Sequence, residues 1–230
     1  MLRWRISMQL PPKNTAKQQV EGKIALPINC RLFSNILFVE KLSSAFTILD
    51  YINQETNIKT IIFEQELSAI ELETFAMNNH HPDIEIKFDD TCKLSRATWE
   101  SFASLNQATQ VVFREFSICD DPGQPYRKAG LEQIKKFVCL NKKATHVTFS
   151  GDWGIQNLSF IQGNKTITDL NLHGYKNYGE TLSEEELCLL RENNIINVRV
   201  GYAWKTIPPE GWIVVDKVEE RPRGIVIGHP

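Results

Sequence analysis

The sequence lacks an apolar run that could cross a membrane, since no window approaches about 18 consecutive apolar residues. Its basic start, Met1 to Arg5, is not followed by a long apolar stretch, so we expect no secretory signal peptide. The five cysteines form no C-x-x-C pair, which argues against a zinc site or a disulfide framework. Unpaired cysteines are typical of a reducing compartment, so these absences together predict a cytoplasmic protein that does not bind membranes.

The chain also lacks a charge surplus and every common catalytic motif. Its formal net charge is −2, whereas a general nucleic-acid binder usually carries a basic excess. No dinucleotide-binding loop, Walker loop, H-E-x-x-H motif or nucleophile elbow is present, so we expect no cofactor. His80 and His81 could bind a metal with Asp83, but a helix-to-strand turn commonly exposes histidines, and we predict no metal site.

What the sequence does contain is a spaced series of short β-type runs. Each run reads polar, apolar, variable, then Phe or another apolar residue. The apolar second positions are Ile36, Ile61, Ile86, Val111, Val147, Leu170 and Val198. Their successive spacings are 25, 25, 25, 36, 23 and 28 residues, and three equal steps are hard to obtain by chance. This spacing predicts an internal repeat.

Amphipathic helices are predicted between the runs, over 43–53, 67–78, 94–106, 129–141 and 183–193, because apolar residues recur there at spacings of three and four. A brief helix or 3₁₀ turn is predicted within 155–162. Ser183 and Glu186 have the spacing of a capping box. Asparagines lie at or near the helix ends, where we expect the left-handed conformation to close each helix.

The variable positions of the strands are often polar, which predicts a parallel sheet with helices on one face only. Such a sheet must curve, because helices are wider than the strand spacing. The motif from Thr168 to Gly174, with the helix that ends at Asn193, resembles leucine-rich-repeat proteins of the ribonuclease-inhibitor type. The resemblance implies an α/β solenoid, a horseshoe with a concave parallel sheet of about seven strands and convex helices, over residues 33–203. Residues 1–32 would then form an N-terminal cap, as a β-hairpin or a disordered start, and 204–230 a C-terminal cap and tail.

The solenoid prediction places candidate partner-binding residues in three rows along the concave face. The middle row consists of Leu37, Ile62, Lys87, Val112, Thr148, Asn171 and Arg199. The flanking rows supply Glu85, His146 and Asp169 on one side and Glu64, Asp89, Arg114 and His173 on the other. Two loops, 117–128 and 173–180, are further candidate contact regions, and the second adds Tyr175 and Tyr178. The proline and glycine content of the first loop argues against regular structure there.

These rows favour a non-catalytic scaffold that binds a protein partner. By resemblance alone, the chain is similar to effectors that intracellular bacteria such as Legionella inject into host cells. That would place the chain in the host cytosol, with a host protein as partner and residues 216–223 as a translocation signal. One alternative is RNA or ribonucleoprotein binding through the lysines at 128, 135, 136, 142, 143 and 165. A second is a hydrolase, since Ser150, His173, His146 and Asp169 recur on neighbouring strands.

Overall fold

A computed structural model describes residues 25–42, 44–121, 123–173, 175, 182–200 and 203–206. For His173 and residues 203–206 it describes the backbone only. The predictions for residues 1–24, for Tyr178 and for the charged tail lie outside the described residues. No helix among those described is long and apolar enough to span a membrane.

Strands and helices alternate through the described residues. In chain order they are β1 (Cys30–Phe33), β2 (Ile36–Val39), α1 (Ala45–Gln54), β3 (Thr60–Phe63), α2 (Ala69–Asn78), β4 (Glu85–Phe88), β5 (Lys93–Ser95), α3 (Arg96–Leu105), β6 (Gln110–Phe113), β7 (Ser117–Cys119), β8 (Arg127–Lys128), α4 (Leu131–Leu140), β9 (His146–Ser150), a 3₁₀ helix (Leu158–Ile161), β10 (Asp169–His173), α5 (Glu184–Glu192), β11 (Asn197–Val200) and β12 (Ala203–Thr206). Each predicted helix is present, with ends within two residues of the prediction.

Nine of these strands form one sheet in the order β1-β2-β3-β4-β6-β9-β10-β11-β12. The seven from β2 to β11 are parallel, and an antiparallel strand flanks them at each edge. The fold is therefore mixed α/β with a mostly parallel sheet. Consecutive helices contact one another in chain order, so the connections form a single helical layer.

The strand register differs from the sequence prediction at the first parallel strand. Leu37, rather than Ile36, pairs with Ile61, so the first spacing is 24 residues. The error arose because β2 reads Ile-Leu-Phe-Val, four apolar residues in which the sequence alone does not separate the two faces. Pairing at the remaining parallel strands matches the predicted alignment.

A column of phenylalanine rings runs through the core between sheet and helices. Phe63, Phe88, Phe113 and Phe149 occupy equivalent strand positions, and successive ring centroids lie 5.6, 5.4 and 5.4 Å apart. Helix side chains close onto the column, as where Phe137 meets Phe113 at 4.8 Å. All these rings are buried, so this side of the sheet is the one that the helices cover.

Two apolar residues that the helical pattern assigned to the buried stripe are exposed instead. Phe46 in α1 is 62 % exposed and Ile70 in α2 is 74 % exposed. Each lies at the second position of its helix, directed away from the sheet, while Ile48 and Leu72 pack inward. The spacing of apolar residues did not distinguish these exposed residues from the buried ones, because both helices are apolar over more than one face.

The asparagines at the helix ends act through side-chain hydrogen bonds, and the predicted left-handed closure is wrong for Asn106, Asn141 and Asn193. Their φ angles are −52°, −61° and −109°, outside the left-handed region. The Asn141 side chain instead donates to Ala144 O at 2.8 Å and accepts from Ala144 N at 2.9 Å. Asn106 bridges to Ala108 in the same way. Asn106 and Asn141 thus each fix the turn that leads into the next strand.

The helix start at Ser183 confirms the predicted capping box. Glu186 N donates to Ser183 Oγ at 3.2 Å, and Ser183 N donates to a Glu186 carboxylate oxygen at 2.7 Å. Two backbone donors at this helix end are therefore satisfied.

The 117–128 insertion is regular at both of its ends, contrary to the sequence prediction. It supplies β7 and β8, which extend β5 into a separate three-stranded sheet. Tyr126 fixes this segment, because its hydroxyl donates to Glu66 at 3.0 Å and Lys93 lies over its ring. Burial, then the Glu66 carboxylate, raises the pKa of Tyr126. Proline and glycine occur in the connection between the strands and do not prevent their pairing.

Candidate functional site: the open face of the sheet

The side chains that alternate with the core residues lie on the opposite side of the sheet, which we call the open face. Its middle row consists of Phe38, Ile62, Lys87, Val112, Thr148, Asn171 and Arg199, all half-buried. Six of these residues were predicted. Leu37 was placed in the row wrongly: it is 0 % exposed and packs in the core, because the register of β2 is shifted by one residue. Phe38, which the sequence reasoning missed, takes its place.

In the half of the open face formed by β2, β3, β4 and β6, the charged side chains pair with one another. Arg31 contacts Glu64 at 2.8 Å and Glu40 at 2.6 Å, and its guanidinium lies over the Phe38 ring at 5.0 Å. Separate charge pairs join Lys87 to Glu85 at 2.8 Å and Arg114 to Asp89 at 3.6 Å. The apolar side chains of this half are those of Phe38, Ile62 and Val112 in the middle row.

In the half formed by β9, β10 and β11, one flanking row is a hydrogen-bonded network centred on Asp169. Its carboxylate accepts from Asn197 Nδ2 at 2.7 Å and from Thr168 Oγ1 at 2.7 Å. His146 Nε2 lies 3.5 Å from the same carboxylate, and Thr145 Oγ1 lies 2.9 Å from His146 Nδ1. The row therefore satisfies its own polar groups.

The middle row of the same half is different. Neither Asn171 Oδ1 nor Arg199 Nε has a hydrogen-bond partner, although both atoms are shielded from solvent. The two residues are register partners on β10 and β11, and Thr148 pairs with Asn171 on the other side. Buried polar atoms normally have a hydrogen-bond partner. The unsatisfied donor Arg199 Nε and acceptor Asn171 Oδ1, on neighbouring strands, therefore need an explanation.

Of the residues considered for a serine-histidine-aspartate site, the described side chains of His146 and Asp169 lie together. His146 pairs with Asp169, but Ser150 lies four residues further along β9, about 13 Å away at the usual rise of a strand. The backbone of His173 pairs with that of Ser150, and its side chain lies outside the described residues.

Near the 173–180 loop, Tyr175 is half-buried and its hydroxyl lies 2.6 Å from a Glu186 carboxylate oxygen. Burial, then the hydrogen bond to Glu186, raises the pKa of this tyrosine. Tyr175 also lines a shallow cavity of about 380 Å³ together with Trp153 and Ile155. The tyrosine is thus tied to α5, while its predicted companion Tyr178 is not described.

The remaining polar candidates lie away from the open face. His81 Nε2 lies 2.6 Å from Asn53 Oδ1. Within the described ranges, no group of three or more His, Cys, Asp or Glu residues is placed to hold a metal ion. Of the clustered lysines, Lys128 pairs with Glu115 at 2.6 Å and Lys136 with Glu100 at 3.7 Å.

Comparison of the chain with protein-family models, with curated proteins and with solved structures finds no match. The functional argument therefore depends on the geometry of the open face.

Proposed function

We propose that the chain is a non-catalytic binding scaffold that holds a protein partner on the open face of its sheet, and that its architecture is a leucine-rich-repeat-like solenoid with this face on the concave side. The observation that carries the proposal is a group of half-buried apolar side chains on the sheet face opposite the described helices, formed by Phe38, Ile62 and, beyond Lys87, Val112. Apolar groups grouped on a wet surface commonly mark an interaction site.

Spacing within the core supports the curved architecture. The centroids of the phenylalanine column are 5.4 to 5.6 Å apart on the helix side. Neighbouring strands are normally about 4.8 Å apart. A wider spacing on the helix side than at the sheet is what a sheet with convex helices requires.

The pairing of charges supports a protein partner over a nucleic acid. On the half with the apolar patch, Arg31, Lys87 and Arg114 each contact a carboxylate and offer no excess positive potential. Of the clustered lysines, Lys128 and Lys136 also contact carboxylates, which lowers the positive potential available to a phosphate backbone.

The experiment is a selection of random peptides displayed on phage against the immobilised protein, followed by affinity measurement with selected synthetic peptides. Ile62→Asp places a charge beside Phe38 in the middle row and is expected to lower affinity about tenfold or more, as for a central contact residue. Ile70→Asp is the matched control, because Ile70 is exposed on the helix layer of the same strand-helix unit.

The proposal predicts that Ile70→Asp retains wild-type affinity. Equal affinity of wild type and Ile62→Asp would contradict the open face as the binding surface, as would a selection that enriches no peptide. Urea unfolding of both variants separates loss of contact from loss of folding, and the milder Ile62→Thr serves where Ile62→Asp is unstable.

A further inference from the structure

Arg199 stands apart in the charge balance of the open face. Among the described side chains of this face, the other lysine and arginine residues, Arg31, Lys87 and Arg114, each contact a carboxylate within 4.0 Å. Arg199 has no such contact, and its Nε is shielded from solvent without an acceptor. A half-buried guanidinium without a counter-charge is costly, because burial removes hydration that nothing replaces.

The neighbours of Arg199 in the middle row provide free hydrogen-bonding capacity of a matching kind. Asn171 Oδ1 has no donor, although the amide can turn to present its NH₂ group instead. Thr148 is the next residue of the row, one strand further along. Because neighbouring strands lie about 4.8 Å apart, a hydroxyl, an amide and a guanidinium stand side by side. Turning either side chain outward breaks no hydrogen bond within the described residues.

We infer that the row Thr148, Asn171 and Arg199 binds a carboxylate carried by an Asp or Glu side chain of the partner protein. This inference rests on the proposed function and adds the chemistry of one contact to it. The Nε–H and Nη–H groups of Arg199 present a planar fork that fits the two carboxylate oxygens. Asn171 donates from its NH₂ group and Thr148 from its hydroxyl, so all three groups act as donors toward one anion.

A neutral amide is the less suitable occupant. It would satisfy Arg199 Nε and Asn171 Oδ1 as hydrogen-bonding groups but would leave the guanidinium charge uncompensated. An amide also offers a single oxygen, whereas a carboxylate offers two oxygens that fit the planar fork of Arg199.

A phosphate is disfavoured by charge. It carries about −1.5 to −2 at neutral pH, against the single charge of Arg199. The carboxylate of Asp169 lies in the adjacent row of the same strand and would repel the surplus. One positive charge matches one carboxylate.

The test uses the peptides selected on the full chain. We expect them to share one acidic position, and we expect its change to the corresponding amide, Asp to Asn or Glu to Gln, to lower affinity about tenfold or more. In the Arg199→Gln protein the same peptide change should have little effect, so that a double-mutant cycle gives a coupling between the two groups. Arg199→Lys keeps the charge but loses the planar fork, and it should recover only part of the coupling.

Arg96→Gln is the matched control, since Arg96 lies on α3 in the helix layer and already contacts Asp120. The cycle with Arg96→Gln should leave the effect of the peptide acid unchanged. Peptides that lose affinity with Ile62→Asp but share no acidic position would overturn the carboxylate site while leaving the proposed function intact. So would an acid effect of equal size in wild type and Arg199→Gln. Absence of any selected peptide would instead count against the proposed function.

Discussion

The two halves of the sheet share one backbone pattern but differ in both their core and their open face. From β3 to β9, the core positions that end each strand hold the stacked rings of Phe63, Phe88, Phe113 and Phe149. At β10 and β11, the same positions hold Leu172 and Val200. On the open face, paired charges around an apolar patch give way to a polar row with unsatisfied atoms.

The difference distinguishes the side-chain positions that maintain the fold from the positions whose chemistry varies. Inward positions change only among apolar residues, because each must fill the space between its neighbours and the helix layer. Outward positions include Ile62, Lys87, Thr148 and Arg199 in one row, with no common chemistry. The backbone register is retained across this variation, so the open face can be specialised locally.

The largest effect is expected in the aromatic part of the core. Phe113→Ala removes a ring that contacts Phe88, Phe149, Trp99 and Phe137, and should lower the free energy of unfolding by about 3–5 kcal/mol. At the equivalent position of β11, Val200→Ala removes two methyl groups and should cost about 2 kcal/mol. Urea unfolding followed by circular dichroism measures both, and equal losses would show that the two cores do not differ as described.

An intermediate effect is expected at the helix ends. Asn141→Ala leaves buried backbone groups of Ala144 without their partners and should cost about 1–3 kcal/mol. Asn79→Ala should cost less, because it removes one hydrogen bond, from His81 N to Asn79 Oδ1, and also removes an Nδ2 that is buried without a partner. Both free energies follow from urea unfolding. A larger loss at Asn79 than at Asn141 would contradict this reading of the side-chain bonds.

The smallest effect is expected for the two cations of the middle row. Lys87→Met removes a partly exposed ion pair and should cost about 0.2–1 kcal/mol. Arg199→Met should change the free energy of unfolding by less than about 0.5 kcal/mol, or raise it, because it removes an uncompensated charge from a half-buried position. Thermal or urea unfolding of the pair gives the comparison. A greater loss for Arg199→Met would mean that this arginine stabilises the fold.

The sequence predicted the elements well where its signals were local and redundant. Each helix lies within two residues of its prediction, and the capping box of α5 is present, because Ser183 and Glu186 contact only groups in their own turn. Six of the seven middle-row residues lie where the alternation placed them.

The sequence-based predictions were wrong where the structure depends on contacts between residues distant in the chain. The face of Leu37 is set by pairing of β2 with β3, which four consecutive apolar residues do not reveal. Strand β7 of the insertion pairs with β5, about 24 residues earlier, and Tyr126 contacts Glu66, 60 residues earlier. The unsatisfied state of Arg199 depends on which side chains neighbouring strands bring near it, and spacing in one strand carries no such information.

The insertion between β6 and β9 has a consequence for how this chain could have diversified. Its 36-residue spacing adds strands to a separate small sheet, while β6 and β9 pair in the main sheet without an offset. The extra residues thus contribute to the small sheet, and the strand register of the main sheet is unchanged. A lineage could lengthen or trim this insertion without changing the strand pairing of the main sheet.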